Sequence, residues 1–134
     1  MIYYQRKYQI LEFYPSDSYF VQIWLKLSNI MNDVEFKEEM REFIRQIMEL
    51  EPKRIMIDMR DFGYIVTPDF MFWIADNINR KIAEIEGHRV AFVYGNDSIT
   101  QLSVENVIDE YDYDFYFNKR YFFDADEAKN WLFD

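Results

Sequence analysis
Between Tyr19 and Leu27 the side chains alternate: Tyr19, Val21, Ile23, Leu25 and Leu27 fall on one face, and Phe20, Gln22, Trp24 and Lys26 on the other. A period of two marks a strand. The first face is wholly apolar and the second mixed, which predicts a sheet with one buried side and one partly wet side. Tyr8 to Tyr14 is similarly rich in aromatic and branched residues, and Pro15-Ser16-Asp17-Ser18 between the two segments is turn chemistry. The pair predicts an antiparallel hairpin.

From Asn32 the period changes. Phe36, Met40, Phe43, Ile44, Ile47 and Leu50 recur at three- and four-residue steps, while Glu38, Glu39, Arg41, Glu42 and Arg45 take the other face. This predicts an amphipathic helix capped by Asn32 or Asp33 and closed before Pro52. The run Ile55-Met56-Ile57 ending in Asp58 predicts a short central strand, and a second helix is expected from Thr67 to about Glu86. That helix buries Met71, Ile74, Ala75, Ile78, Ile82 and Ile85, and Gly87 suits the left-handed position after its end. Val90 to Tyr94 predicts another strand. Gly95-Asn96-Asp97 reads as a turn, Ser98 to Ile108 as a third helix, Phe115 to Phe117 as a last strand, and Asp124 as the cap of a terminal helix over Ala125 to Phe133.

The element order is β-β-α-β-α-β-α-β-α, with no internal repeat and no linker, so residues 1–134 are expected to form one domain. After the hairpin the strands alternate with helices, and short crossovers make such strands parallel. The predicted fold is α/β, a mixed sheet packed with helices.

Composition narrows the function classes. The net charge of −10, from 25 acidic and 15 basic residues, repels nucleic acid and anionic lipid surfaces. Where Arg41, Arg45, Lys53 and Arg54 come closest to a basic patch, Glu38, Glu39, Glu42, Glu49 and Glu51 are interleaved with them. The chain has no cysteine, hence no disulfide framework, thiol nucleophile or thiolate metal site. The first eight residues lack an apolar leader core, and no apolar run approaches the ~18 residues of a membrane span. A cytoplasmic location is expected. Aromatic residues make up 20% of the chain, with 11 Tyr and 13 Phe, a load that points some of them toward a partner or a pocket.

Chemistry-bearing motifs are few. Asp58 and Asp61 flank Arg60 after the central strand and lack a third ligand, so they read as solvated or ion-paired acids rather than a metal pair. His88, the single histidine, reads as a surface turn residue. No serine lies in a Gly-x-Ser-x-Gly elbow. Asp109, Glu110, Asp112 and Asp114 lack the calcium-loop frame and read as an acidic rim, and no phosphate-cradling glycine motif occurs. No catalytic residue, metal ligand or cofactor is therefore assigned.

The most informative stretch runs from Arg54 to Gly87: a strand ending in Asp58, an irregular loop, and a helix restarting at Thr67-Pro68. Thr67 is placed to cap that helix through its hydroxyl, worth ~1 kcal/mol, with Pro68 at the first helical position. The aromatic residues Phe62 and Tyr64 precede it and Phe70, Phe72 and Trp73 follow. Phe70-Met71-Phe72-Trp73 surrounds a helix and cannot all point inward.

The opening hairpin, the string Ile57-Asp58-Met59-Arg60-Asp61 before a helix at Thr67, the strand Arg89-Val90-Ala91-Phe92-Val93 and the ending Tyr121-Phe122-Phe123-Asp124-Ala125-Asp126-Glu127-Ala128-Lys129-Asn130-Trp131-Leu132 together resemble the STAS domains. The resemblance is closer to the SpoIIAA-like, STAS-like branch of small bacterial proteins. It implies a STAS/SpoIIAA-like fold, a regulatory role of the anti-sigma-factor-antagonist type, and a phosphoacceptor at Thr67. In place of the family's Asp-Ser-Ser-Gly-type run stands Ile65-Val66-Thr67-Pro68-Asp69, and Asp69 repels an added phosphate. The branch also resembles lipid-binding sheet-and-helix folds.

The leading expectation is a non-enzymatic regulatory or protein-interaction module. Phe62, Tyr64, Phe70 and Trp73 dock into a protein partner, and Asp58, Asp61 and Asp69 set orientation and charge preference. The alternative is a carrier of a small apolar ligand, lipid included, held between the aromatic loop and the sheet. An exposed hairpin edge offers a route to a homodimer.

Overall fold
The computed structural model describes residues 1–95 and 116–134. Six strands lie side by side in sequence order: β1 (Ile2–Gln5), β2 (Gln9–Tyr14), β3 (Tyr19–Trp24), β4 (Arg54–Asp58), β5 (Arg89–Val93) and β6 (Lys119–Phe122). β1, β2 and β3 are antiparallel, and β3 to β6 run parallel. The helices are α1 (Asp33–Leu50), α2 (Pro68–Ile74), α3 (Arg80–Ala83) and α4 (Ala125–Leu132). A mixed α/β sheet with an antiparallel hairpin at its start is what the hydrophobic pattern predicts. The hairpin turn is a single 3-10 turn over Pro15–Asp17, closed by Ser18 at φ 48°, and the Ser18 hydroxyl accepts the Lys53 N–H at 2.9 Å.

Three expectations need correction. β1 occupies the edge that the hairpin was expected to expose, pairing Ile2 with Phe13 and Gln5 with Ile10; it was missed because all its side chains are exposed and the period of two therefore carries no burial signal. The last strand is Lys119–Phe122, not Phe115 to Phe117; Phe117 is a buried core residue just ahead of it, and Phe115 lies outside the described residues. The third correction concerns the sheet faces. Phe20, Gln22 and Trp24, on the face expected to be partly wet, are at most 2% exposed, and Tyr19 and Val21 opposite are buried as well. The helix expected between Ser98 and Ile108 lies outside the described residues.

Both faces of β3 are dry because helices cover both. α1, α2 and α3 pack on one side, where Phe36, Phe43, Ile47, Ile74 and Ile82 meet Phe20, Ile55, Ile57, Val90 and Phe92. α4 packs on the other, placing Ala128 and Leu132 against Tyr19, Val21, Met56, Ala91 and Val93. Each large apolar side chain so buried contributes about 1.5–3 kcal/mol. α1 begins with a reciprocal capping box: Asn32 Oδ1 accepts the Glu35 N–H at 2.8 Å and Glu35 Oε1 accepts the Asn32 N–H at 3.0 Å. α4 begins at Asp124, whose carboxylate accepts the Asp126 N–H at 2.7 Å. At its other end Arg54 Nε and Arg89 Nη1 donate to the carbonyls of Leu132 and Trp131 at 3.0 and 2.7 Å. Two strand arginines thus satisfy carbonyls that a helix end leaves open.

Gln22 is tolerated on the main core face because it ends a hydrogen-bonded chain. Its Nε2 donates to Gln9 Oε1 at 2.7 Å, Gln9 Nε2 donates to the Glu39 carbonyl and carboxylate at 2.8 and 2.9 Å, and Arg6 Nε reaches the same carboxylate at 2.9 Å. Glu39, expected on the solvent face of α1, is buried by this chain.

Candidate functional site
The loop of residues 59–67 leaves the carboxyl end of β4 and is pinned at four points. Met59 N–H donates to the Val93 carbonyl at 2.7 Å, which extends the parallel pairing by one step. Asp58 is held by Arg60, which donates from its backbone N–H at 3.1 Å, from Nε at 3.0 Å and from Nη2 at 2.7 Å. This bond pushes the Arg60 guanidinium pKa up from its ordinary value, Asp58 being the first cause. Gly63 N–H donates to the Ser28 hydroxyl at 2.9 Å, and a Cβ at Gly63 would stand 2.6 Å from Asn29 Cβ, so only glycine lets the loop lie this close to residues 26–30. The Tyr64 hydroxyl donates to Asp33 at the first turn of α1. Burial, and then the Asp33 carboxylate, raise the Tyr64 pKa.

This pinning turns most of the aromatic loop inward. Phe62, Tyr64 and Phe70 are at most 9% exposed and close a ring cluster with Trp24 and Phe36. Phe62 meets Trp24 edge-on at 5.0 Å, and Phe70 meets Phe36 edge-on at 5.8 Å. The expectation that Phe62, Tyr64 and Phe70 dock outward is corrected: they are core side chains. Trp73 is half-buried beneath Lys37 and Arg41 of α1, whose cationic ends lie 5.5 and 5.7 Å from its ring. Asp61, Thr67 and Asp69 are exposed, and so are Ile65 and Phe72, at 84% and 55%.

Asp58 is ion-paired with Arg60 at 2.7 Å. Among the described residues no three His, Asp or Glu side chains converge as a metal site would require. Thr67 has the extended backbone of an N-cap, φ −82° and ψ 162°, but its hydroxyl makes no capping bond, contrary to expectation, and remains exposed at the helix start. His88 is not a surface turn residue. It is 5% exposed, with Nδ1 donating to the Ile85 carbonyl at 2.8 Å and Nε2 accepting the Asn118 N–H at 2.9 Å, which staples the turn before β5 to the chain entering β6.

Beneath the aromatic loop lies a cavity of about 70 Å³. The sheet supplies Gln22, Trp24, Ile57 and Phe92, α1 supplies Phe36, Met40 and Phe43, and the loop supplies Met59, Phe62 and Val66. The fourth wall is the helical layer, with Ile74, Ile78, Asn79 and Ile82. No charged side chain lines it, and Val66, next to Thr67, is its half-exposed member. The expected helix over 67–86 is interrupted here by a wide π turn, Ala75–Asn79, in which the Arg80 N–H bonds back five residues to the Ala75 carbonyl. Such turns occur disproportionately at functional sites. Asn79 closes the turn and is 4% exposed, and its side-chain Nδ2 has no hydrogen-bond partner.

Sequence reasoning passed over Asn79. The signal was present, because Asn79 stands four residues after Ala75 and three before Ile82, on the stripe that the apolar residues define as buried. No family model, no curated protein and no solved structure matches the chain. Among the described residues no helix is long and apolar enough to cross a membrane.

Proposed function
We propose that the chain is a non-enzymatic binding module that holds a small apolar molecule in the cavity between the aromatic loop and the sheet. The observation that carries this reading is a cavity of about 70 Å³ lined almost wholly by apolar side chains. One water needs of the order of 10–15 Å³, so the space is several times larger than a single water requires, and cavities with apolar walls accept apolar guests. Leaving it empty forfeits contacts on every wall, so a guest stabilises the fold as it binds. Native mass spectrometry of freshly purified protein tests the reading. A mass surplus that is lost on denaturation supports it. A bare mass, combined with no thermal stabilisation by small apolar compounds of a few heavy atoms, overturns it.

A second reading, the STAS-like regulatory module, draws support from a different observation. Ile65 and Phe72 are exposed beside Thr67, whose hydroxyl makes no capping bond, so an apolar patch and a modifiable hydroxyl share the start of α2. In this reading a protein partner sits on Ile65 and Phe72, and the charge on residue 67 regulates it. Thr67→Asp then changes partner affinity, while Ile65→Ser with Phe72→Ser abolishes it without lowering the unfolding midpoint.

A further inference from the structure
Asn79 assigns a polar group to the guest. We infer that the cavity of about 70 Å³ selects a neutral molecule of a few heavy atoms, smaller than a six-membered ring, that carries a single hydroxyl or carbonyl oxygen, and that Asn79 Nδ2 donates to that oxygen. The inference rests on the cavity reading above and adds the chemistry of the guest.

Four observations support it. Asn79 Nδ2 is buried without a partner in a wall that is otherwise apolar, and buried side-chain polar atoms in folded proteins nearly always have one. Gln22, the other polar residue of the lining, donates its own Nε2 to Gln9 at 2.7 Å, so it does not compete with Asn79 as a donor to the guest. No cation faces the cavity, which makes an ionised carboxylate or phosphate costly there and restricts the guest to neutral molecules. Trp24, Phe36 and Phe62 supply apolar ring surface for the rest of the guest.

Propane and ethanol separate the possibilities, because they share a shape and differ in one methyl-for-hydroxyl exchange. Ethanol is the better solvated in water, so a purely apolar cavity prefers propane; a site that hydrogen-bonds the hydroxyl cancels or reverses that preference. Affinities are read from chemical-shift titrations of the cavity methyl groups in the wild type and in Asn79→Ala, which keeps the helix and enlarges the space. The expected result is that the wild type binds ethanol at least as tightly as propane, and that Asn79→Ala binds propane at least tenfold more tightly than ethanol. If the wild type prefers propane as strongly as Asn79→Ala does, the guest chemistry inferred for Asn79 is wrong while the cavity reading stands. If neither compound perturbs the cavity methyls of a folded wild type, both fall. Asn79→Leu is the second variant: by filling the cavity it is expected to raise the melting temperature and abolish both titrations, and titrations that persist in it with wild-type affinities would overturn the assignment.

Discussion

Tyr64 lies flat on Phe36, with ring centroids 4.4 Å apart and planes 14° apart, and its hydroxyl reaches over to donate to Asp33. One side chain therefore ties the loop after β4 to both the face and the first turn of α1. Because the ring is at most 9% exposed, truncation is a core deletion. Tyr64→Ala is expected to cost about 3–5 kcal/mol, and Tyr64→Phe, which keeps the ring and loses the bond to Asp33, about 1 kcal/mol. Urea midpoints of the two variants check the ratio. Equal midpoints for Tyr64→Ala and wild type would mean that the loop stands away from α1.

The same hydroxyl enters the pH dependence. Burial, with Tyr14 and Glu12 nearby, pushes the Tyr19 pKa up to about 12, and burial followed by Asp33 raises that of Tyr64. In the unfolded chain both ionise near pH ~10, so their contribution is complete below about pH 10 and is lost as pH rises toward the folded values. Glu35 has the opposite sign. The Tyr8 hydroxyl, and then the Asn32 backbone, hold its pKa below the ordinary value, so its contribution is present above about pH 4.3 and lost as pH falls through the lower folded value. Urea midpoints should form a plateau between these limits. Tyr64→Phe is expected to shallow the alkaline limb, to which Tyr19 still contributes, and Glu35→Gln to shallow the acid limb together with the part of the alkaline limb that its bond to Tyr8 supplies.

Gly63 sets how closely the loop approaches residues 26–30. A methyl group there would meet Asn29 Cβ at 2.6 Å and Asn29 Cα at 3.0 Å, and the second of these is backbone, which cannot rotate away. Gly63→Ala is expected to destabilise the fold by about 1–3 kcal/mol, lengthen the Gly63 N–H bond to Ser28 and loosen the loop wall of the cavity. Amide hydrogen exchange at Gly63 and Tyr64 should then speed up while that of β4 holds. Unchanged exchange at both positions would show that the loop accommodates the methyl group without moving.

Regular periodicity made the hairpin, α1, β4, β5 and α4 legible in the sequence. Phe36, Met40, Phe43, Ile44 and Ile47 are buried as their spacing requires. Two kinds of information stayed hidden. Burial imposed from outside an element leaves no periodic trace: Phe62, Tyr64 and Phe70 look like a surface patch in the sequence, and only the approach of α1 and residues 26–30 encloses them. Polar residues that satisfy one another across strands also mislead. Gln9, Gln22 and Glu39 are separated by 13 to 30 positions, so each reads as a solvent-facing residue until the pairing is known. Asn79 is the converse case, because its place on the buried stripe was visible and its lack of a partner was not.

The chain from Arg6 through Glu39 and Gln9 to Gln22 yields a last prediction about how the wall behind the cavity is held. Glu39 is a buried carboxylate, its side chain 6% exposed, and its ion-pair partner among the described residues is Arg6, 27% exposed. Removing the cation leaves the carboxylate desolvated, with the Gln9 amide as its remaining donor. For a fully buried pair such a loss costs 3–5 kcal/mol; partial solvation of Arg6 lowers it, and Arg6→Met is expected to lose about 2 kcal/mol. Glu39→Gln removes the charge while leaving an oxygen for Gln9 Nε2. The double variant Arg6→Met/Glu39→Gln should therefore be more stable than Arg6→Met alone, with a coupling of about 1 kcal/mol in the cycle. Strict additivity would show that Glu39 is solvated in the folded protein and that Gln22 is held in place by packing instead of by the charge at the far end of its chain.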